Sequence, residues 1–222
     1  MKSMNELLSL AHTVSPFTIC GEGNVSQKVG DNFWIKASGT DLHTLSEEDL
    51  TLCDMNGNQL DPSHKKASIE SSFHAWLLSF DGINFISHTH PVYTVKIVCT
   101  EWIYEFADHR LFPDQIVRNG TKSCVVPFAP PGKSALEAVK SGMNKFLDKE
   151  GYVPNLILLQ NHGIISLSST AKDCAASTLM CEKSAEIYVG CKQLGQIYFL
   201  NKDQVGLVDN CPNEQYRRDM YQ

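Results

Sequence analysis

The segment SIESSFHAWLLSFDGINFISHTHPVYTVKIVC, residues 68–99, changes its apolar periodicity twice. Apolar side chains at helical spacing predict a helix over residues 68–80, and the alternating run that follows predicts a strand over residues 82–88. Pro91 closes this strand and is well placed as the first residue of a further helix over residues 92–99. A strand enclosed by two helices indicates a protein in which helices and strands interleave.

Helices and strands interleave along the rest of the chain as well. The predicted helices are residues 6–12, 134–149 and 170–194, and the predicted strands are residues 25–29, 33–37, 50–54, 123–126, 155–160 and 163–167. Residues 101–118 are expected to be irregular. Gly30-Asp31-Asn32 is typical of a hairpin turn, so we expect an antiparallel or mixed sheet. No repeat or flexible linker divides the chain, so residues 1–222 are expected to form a single domain.

The composition excludes several classes of protein. The chain has 222 residues, 42% of them hydrophobic, which is enough to bury a core and excludes disorder. The 19 Lys and Arg against 25 Asp and Glu give a net charge of −6, so no basic field favours nucleic acid or an anionic membrane. No apolar run approaches the roughly 20 residues that cross a bilayer, and no secretory signal is visible. The eight cysteines are scattered without a C-x-x-C pair, so we expect reduced thiols in a cytoplasmic protein.

Three histidines are candidate metal ligands. His88 and His90 end the central predicted strand, and side chains two residues apart in a strand project to the same side, as neighbouring ligands of a tetrahedral metal do. Asn161-His162-Gly163 follows another buried strand, where an Asn-His pair is costly unless it is hydrogen-bonded or liganded. Three histidines form the ligand set of an open, catalytic zinc. The alternative is that core hydrogen bonds satisfy all three.

Glu70 is the candidate carboxylate of this site. It lies near the start of the helix predicted over residues 68–80, where the helix dipole favours a negative charge, so a catalytic role and a simple helix-end role are both open. His74 lies four residues later on the same face. It either hydrogen-bonds Glu70 or packs in the core, and we do not predict it as a ligand.

Two turns that contain glycine are candidate anion sites. Residues 21–26, GEGNVS, and residues 37–41, ASGTD, each lie beside a strand and offer backbone N–H groups with hydroxyl or amide side chains. Such turns suit a phosphate or a carboxylate, although taken singly each is more typical of an ordinary turn. Neither matches a P-loop, and no G-x-G-x-x-G follows a strand, so nucleotide binding has little support.

Five motifs, taken in order, resemble the class II aldolase/adducin family. They are EGNVS (22–26), ASGTDL (37–42), SIExxxH (68–74), HTHP (88–91) and NHG (161–163). The resemblance covers about residues 5–195 and implies a three-layer α/β/α domain with a central mixed, mainly antiparallel sheet. The family includes zinc-dependent sugar-phosphate aldolases, an epimerase, a dehydratase, a decarboxylase and adducin, which is not an enzyme.

The resemblance also implies the roles of particular residues. It implies one Zn²⁺ per chain on His88, His90 and His162, with Glu70 as the catalytic acid/base. It implies a phosphate pocket that consists of Gly23, Asn24, Ser38, Gly39 and Ser68. A catalytic tyrosine is expected from the C-terminal tail, residues 196–222, of an adjacent subunit in a homotetramer, with Tyr216 as the first candidate and Tyr221 as the second.

The function that the resemblance implies is reversible aldol cleavage of a small-molecule sugar phosphate, a ketose 1-phosphate, to dihydroxyacetone phosphate and an aldehyde. The three histidines argue against an adducin-like module, and Glu70 in place of aspartate favours an aldolase over an epimerase. A zinc dehydratase, decarboxylase or epimerase is the alternative. Gly21 and Ile69 stand where fuculose-phosphate aldolase has hydroxyl side chains, which leaves the phosphate site open to remodelling. The RLFPD run at residues 110–114 is more like the rhamnose-related branch.

Overall fold

The computed structural model describes residues 4–221 and contains a seven-stranded sheet between two layers of helices. The strands are β1 (Asn24–Val29), β2 (Asn32–Lys36), β3 (Leu50–Asp54), β4 (Phe85–Thr89), β5 (Cys124–Val126), β6 (Leu156–Leu159) and β7 (Gly163–Ser168). The α-helices are α1 (Asn5–Val14), α2 (Ser71–Leu77), α3 (Val92–Val98), α4 (Ile103–Asp108), α5 (Pro113–Asn119), α6 (Lys133–Glu150), α7 (Ala171–Leu194), α8 (Lys202–Asp209) and α9 (Pro212–Asp219). The predicted α/β class is confirmed.

The strand order is β3-β2-β1-β4-β7-β6-β5. Neighbouring strands are antiparallel except β5 and β6, which are parallel and are joined through α6, because a parallel pair needs a long crossover. The predicted mixed, mainly antiparallel sheet is therefore confirmed. The central strand β4 pairs with β1 on one side and with β7 on the other.

The strands β4, β6 and β7 are buried on both faces, so the core lies in layers on either side of the sheet. In β6, Leu156 and Leu158 pack with α3, α4 and α7, whereas Ile157 and Leu159 pack with α2 and α6. Because successive side chains of a strand point to opposite faces, an unbroken apolar run is what a strand covered on both sides requires. The three-layer α/β/α arrangement implied by the resemblance is confirmed.

The register brings three strand ends together. Asn24 opens β1 opposite His88 of β4, and Thr89 closes β4 opposite Ile164 of β7. The start of β1, the end of β4 and the start of β7 therefore lie side by side at one end of the sheet. The three candidate histidines and the first glycine turn all lie at this end.

Two helix predictions need correction. The helix predicted from residue 68 begins at Ser71, because the Glu70 backbone, with φ −97° and ψ 3°, lies outside the helical range; its N–H donates to Ser68 Oγ (3.3 Å). Residues 101–118 were expected to be irregular, which is wrong, since they contain α4 and α5. These helices are only six and seven residues long, and Arg110 between them donates to carbonyl groups at both of their C-terminal ends. These tertiary contacts stabilise the two helices, and they produce no periodic apolar pattern in the sequence.

The C-terminal segment folds against its own chain. α9 meets α5 through an ion pair between Arg217 and Asp114 (2.7 Å), and Thr170 at the start of α7 donates to the Tyr221 carbonyl (2.6 Å). No helix within residues 4–221 is long and apolar enough to span a membrane. The eight cysteines are free thiols, as predicted.

Candidate metal centre

The three predicted ligands meet at the end of the sheet. His88 lies in β4 and is fully buried, His90 follows the end of this strand, and His162 lies in the turn between β6 and β7. One ring nitrogen from each histidine lies within 4.8 Å of the others. The sequence-based grouping of the three histidines is thus confirmed as a geometry that can hold a metal ion.

Hydrogen bonds fix the tautomers of two of these imidazoles. His88 Nδ1 lies 2.8 Å from the Ile164 carbonyl oxygen and His90 Nδ1 lies 3.0 Å from Glu22 Oε2. Both partners are acceptors, so each Nδ1 carries the hydrogen and each Nε2 keeps its lone pair. The two Nε2 atoms are 3.2 Å apart. Two lone pairs that face each other at this distance repel, and a cation between them removes the repulsion, so the donor set fits a metal.

Glu22 contacts a candidate metal ligand, and the sequence reasoning did not single it out. Its carboxylate accepts the Nδ1 hydrogen of His90, an arrangement that orients a ligand histidine and raises its basicity. Glu22 is part of the EGNVS motif, so the motif contained it, but only the fold places it next to His90.

Burial keeps His88 and His162 neutral. Loss of hydration lowers the pKa of His88 to about 3 and that of His162 to about 4. The remaining charges around His162 act in both directions, with His88 and His90 lowering the pKa and Glu70 and Glu22 raising it. A metal binds the neutral imidazole, so both side chains are in the ligand form at neutral pH.

Glu70 lies beside the histidines. Its Oε2 atom is 3.5 Å from His88 Nε2, and it accepts a hydrogen bond from Asn24 Nδ2 at 2.7 Å. Burial raises the pKa of the Glu70 carboxyl, and the hydrogen bond from Asn24 opposes this rise. The carboxyl is therefore close enough to the donor set to act on a molecule bound there. Glu70 lies just before α2, not inside its first turn.

The Asn161-His162-Gly163 turn depends on close packing. Asn161 has φ 55°, a left-handed conformation that asparagine tolerates better than most residues. A Cβ atom on Gly163 would lie 2.4 Å from the Thr89 carbonyl oxygen and 2.5 Å from the His90 ring. The group that approaches this glycine closely is therefore the chain itself.

The His74 side chain hydrogen-bonds Ser26 and not Glu70. Its Nδ1 atom lies 2.7 Å from Ser26 Oγ, its ring stacks on Phe73, and burial holds its pKa well below the usual range. Of the two roles left open for His74, the packing role is the one that the structure shows.

Some residues of the predicted phosphate pocket lie in contact with one another. Asn24 Nδ2 also donates to Ser68 Oγ (3.3 Å), and the Ser38 backbone N–H donates to the Lys66 carbonyl beside Ser68. A Cβ on Gly21 would lie 3.2 Å from the Gly39 carbonyl oxygen, so the two glycine turns touch. Gly23 has φ 66° and lies against the His88 carbonyl, where a Cβ would be 2.7 Å from the oxygen.

The tyrosine candidates lie elsewhere in the chain. The Tyr216 side chain is exposed on α9, and the Tyr221 ring covers the Arg118 guanidinium at 3.7 Å. Within residues 4–221, no hydrogen bond or ring contact joins either tyrosine to the histidines or Glu70. A role for Tyr216 in the site of a neighbouring subunit stays a prediction.

Two pockets lie beside the histidines. One lies next to Glu70 and His162 and is mainly apolar, with Phe73, Val126 and Phe128 in its wall. The other has a volume of about 520 Å³ and lies next to His90 and His162. Its lining residues are Pro16, Phe17, Thr18, Ile19, Glu22, Val92, Val95, Lys96 and Cys99 together with these two histidines. A small molecule can therefore reach the donor set from solvent.

Sequence comparison identifies the family. The profile described as Class II Aldolase and Adducin N-terminal domain matches residues 12–189 of this chain. The chain belongs to this family. The three histidines, Glu70 and both glycine turns all lie within the matched residues.

Relatives within the class II aldolase family have different activities. The chain is 29% identical to a 3-oxo-tetronate 4-phosphate decarboxylase of Haemophilus influenzae, over 78% of this chain and 79% of that protein. It is 27% identical to an L-fuculose phosphate aldolase of Methanococcus maripaludis, over 77% of this chain and 86% of that protein. It is also 24% identical to the uncharacterized oxidoreductase YuxG of Bacillus subtilis over 85% of this chain, but spans only 30% of that longer protein.

Solved structures of the family share the fold. An L-fuculose 1-phosphate aldolase superimposes with a TM-score of 0.79 and 23% identity, over 96% of this chain and 95% of the other. This likeness confirms the architecture of a class II aldolase. It does not choose among the reactions that the relatives perform.

Proposed function

We propose that this chain is a zinc-dependent lyase that reversibly cleaves a ketose 1-phosphate to dihydroxyacetone phosphate and an aldehyde. The observation that carries the proposal is the convergence of three histidines next to one buried carboxyl group, Glu70. The relative named L-fuculose phosphate aldolase supports the choice of reaction.

The histidines define the metal site of the proposal. His88, His90 and His162 would hold one zinc ion per chain and leave a coordination position open, as catalytic zinc sites do. Bound zinc would supply Lewis-acid polarisation of the substrate carbonyl. Ile164 and Glu22 hold two of the rings in the orientation that presents Nε2 to the site.

Glu70 is the proposed proton carrier. Its Oε2 atom would exchange a proton with the carbon of the dihydroxyacetone phosphate fragment, because it is the carboxyl oxygen closest to the ligand atoms. Burial raises its pKa, which brings the carboxyl closer to the neutral range where an acid and a base are both available. Asn24 holds this oxygen at 2.7 Å and so fixes its position.

The remaining parts of the proposal concern the substrate's two ends. Gly23, Asn24, Ser38, Gly39 and Ser68 would bind the phosphate group. In a cytoplasmic homotetramer, Tyr216 from a neighbouring subunit would act on the oxygen of the aldehyde. The exposure of Tyr216 on α9 leaves its hydroxyl accessible to another subunit.

A decarboxylase of a sugar acid phosphate is the second candidate. The relative at 29% identity performs this reaction, and the same donor set and carboxyl group would serve it. The two candidates differ in product, because a decarboxylase releases carbon dioxide and an aldolase releases an aldehyde.

The first experiment is elemental mass spectrometry of protein purified without chelator, together with a screen of ketose 1-phosphates for release of dihydroxyacetone phosphate. We expect about one zinc per chain and release from at least one sugar. Zinc with carbon dioxide from a 3-oxo acid phosphate, but no aldehyde, would replace the lyase proposal by the decarboxylase. Absence of metal from folded protein would contradict both the lyase and the decarboxylase proposals.

A substitution tests the proton carrier. Glu70→Gln keeps the side-chain volume but removes the ionisable group, so we expect turnover to fall about 10²–10⁴-fold while zinc remains bound. Glu48→Gln, which changes an exposed carboxylate in a short 3-10 helix, serves as the control and should leave turnover unchanged. Full cleavage by Glu70→Gln would show that another group carries the proton.

A further inference from the structure

A buried lysine lies beneath the two glycine turns. Lys36 is the last residue of β2 and is 2% exposed. Its Nζ atom donates to the Gly21 carbonyl oxygen at 2.8 Å and to the Thr40 carbonyl oxygen at 2.5 Å. One ammonium group therefore joins both turns.

This ammonium has no ion-pair partner. Lys36 takes part in none of the ion pairs within residues 4–221. Asp41, Glu70 and Asp49 act on it from beyond ion-pair distance, and Asp49 is itself paired with Lys65 at 2.7 Å. Burial lowers the pKa of Lys36, as expected for a cation with little hydration. A buried charge without a close partner is costly, so a retained one indicates a use.

Free hydrogen-bond donors lie on the second of these turns, residues 37–41. Within residues 4–221, neither the Ser38 hydroxyl nor the Gly39 N–H donates a hydrogen bond. Gly39 has φ 79°, a conformation that exposes the backbone of the turn. Two donors without acceptors, above a buried cation, are the parts of an anion site.

The local charge explains why a cation is needed. Glu22, Asp41 and Glu70 lie on or beside the same turns, and the whole chain has a net charge of −6. A doubly charged phosphate monoester that approaches these turns is repelled by the carboxylates unless a positive charge offsets them. Of the Lys and Arg side chains in the described part of the chain, Lys36 is the one that hydrogen-bonds both turns.

We propose that Lys36 is a positioning residue for a phosphate monoester, which it serves by joining the two turns and by supplying the positive charge beneath them. The inference rests on the proposed function, since it concerns the phosphate end of the same substrate. It predicts that binding of the substrate's phosphate group depends on Lys36, whereas metal binding by the three histidines does not.

The test compares Lys36→Met with Lys28→Met in the full-length, zinc-loaded protein. Lys28 lies on the neighbouring strand β1, is half-buried and has no ion pair within the described residues, so its replacement changes the net charge equally. Inorganic phosphate is titrated by calorimetry, and the KM for dihydroxyacetone phosphate is compared with that for unphosphorylated dihydroxyacetone in the synthesis direction.

We expect Lys36→Met to weaken phosphate binding about ten-fold or more and to raise the KM for dihydroxyacetone phosphate alone. Zinc content should stay at about one per chain, and Lys28→Met should match the unmodified protein. An equal rise in KM for the phosphorylated and the unphosphorylated substrate would overturn the inference, because loss of a merely structural lysine affects both. Undiminished phosphate binding by folded Lys36→Met would overturn it as well.

A second measurement covers the case in which Lys36→Met does not fold. In unmodified protein labelled with ¹⁵N-lysine, the ammonium signal that is absent from Lys36→Arg belongs to Lys36, and saturation with phosphate should shift it. A signal that phosphate leaves unmoved contradicts the inference. The proposed function can fail separately: phosphate binding that depends on Lys36, without cleavage of any ketose 1-phosphate, would leave the inference standing and remove the lyase.

Discussion

The Nδ1 atom of His88 is hydrogen-bonded to the Ile164 carbonyl group, and its Nε2 atom faces the candidate metal site. The sequence predicts that His88 and His90 project to the same side, because they are two residues apart in a strand. It does not predict which nitrogen is free, since that depends on the Ile164 carbonyl of a strand some 76 positions away. The ligand atom is therefore a property of the β4–β7 register, not of the H-x-H spacing.

Replacement of His88 tests the metal centre. We expect His88→Ala to lower the zinc content from about one per chain to under about 0.1 and to abolish turnover, because three ligands become two. His64→Ala, in an exposed loop, is the control and should keep zinc and activity. Elemental mass spectrometry and near-UV circular dichroism separate metal loss from misfolding. A folded His88→Ala protein with full zinc would show that the ion lies elsewhere.

Gly163 provides a test of packing at the same place. A methyl group at Gly163 would meet the Thr89 carbonyl oxygen at 2.4 Å, and backbone cannot move away as a flexible side chain can. We expect Gly163→Ala to lower the free energy of unfolding by about 2–4 kcal/mol in urea denaturation. Gly190→Ala is the matched control, since a Cβ there meets nothing within 4 Å inside α7, and it should raise stability by about 0.5–1 kcal/mol. Equal stability of the two variants would contradict the packing argument.

Among the elements, long segments were predictable and short ones were not. The sequence predicts α6 and α7 to within a residue or two of their observed ends, because α6 repeats the same apolar spacing over many turns and Gly195 ends α7. α4 and α5 contain too few turns for such a signal, and their ends are held by Arg110. The start of α2 was misplaced because apolar spacing does not report the backbone conformation of Glu70, which lies outside the helical range.

Arg110 is the residue to change in order to test this part of the fold. It is 1% exposed, and its guanidinium donates to the carbonyl groups of Ala107, His109 and Gly120 and to Ser123 Oγ. Lysine keeps the charge but lacks the planar set of donors, so several buried carbonyls would lose their partners. We expect Arg110→Lys to lower the free energy of unfolding by about 3 kcal/mol.

The control for Arg110 is Arg217→Lys, which alters an exposed ion pair with Asp114. Such a pair contributes little, so the stability should change by about 0.5 kcal/mol or less in the same urea titration. If Arg110→Lys were as stable as Arg217→Lys, the carbonyl groups around residue 110 would not need the guanidinium, and another contact would have to hold α4 and α5.

At the scale of the whole molecule, the order of motifs revealed more than any single pattern. The mixed sheet, the three layers and the histidine cluster were all expected from the sequence. Glu22 and Lys36 were not, because neither has a spacing that sets it apart from a surface carboxylate or a strand lysine. Their contacts, to His90 and to two turns, arise only when segments distant in sequence are brought to one end of the sheet.

A metal at this place should stabilise the whole domain. The three histidines come from β4 and from the β6–β7 turn, so an ion that binds them binds only the folded chain. At about a thousand times its Kd, such a ligand adds about 4 kcal/mol, which for a domain of this size corresponds to a rise in Tm of about 8–16 °C. We therefore expect a chelator to lower the Tm of the purified protein by about this amount in differential scanning calorimetry, and added zinc to restore it. His88→Ala should not respond to the chelator. If removal of the metal, verified by elemental analysis, left the Tm unchanged, the ion would not be held by these folded strands.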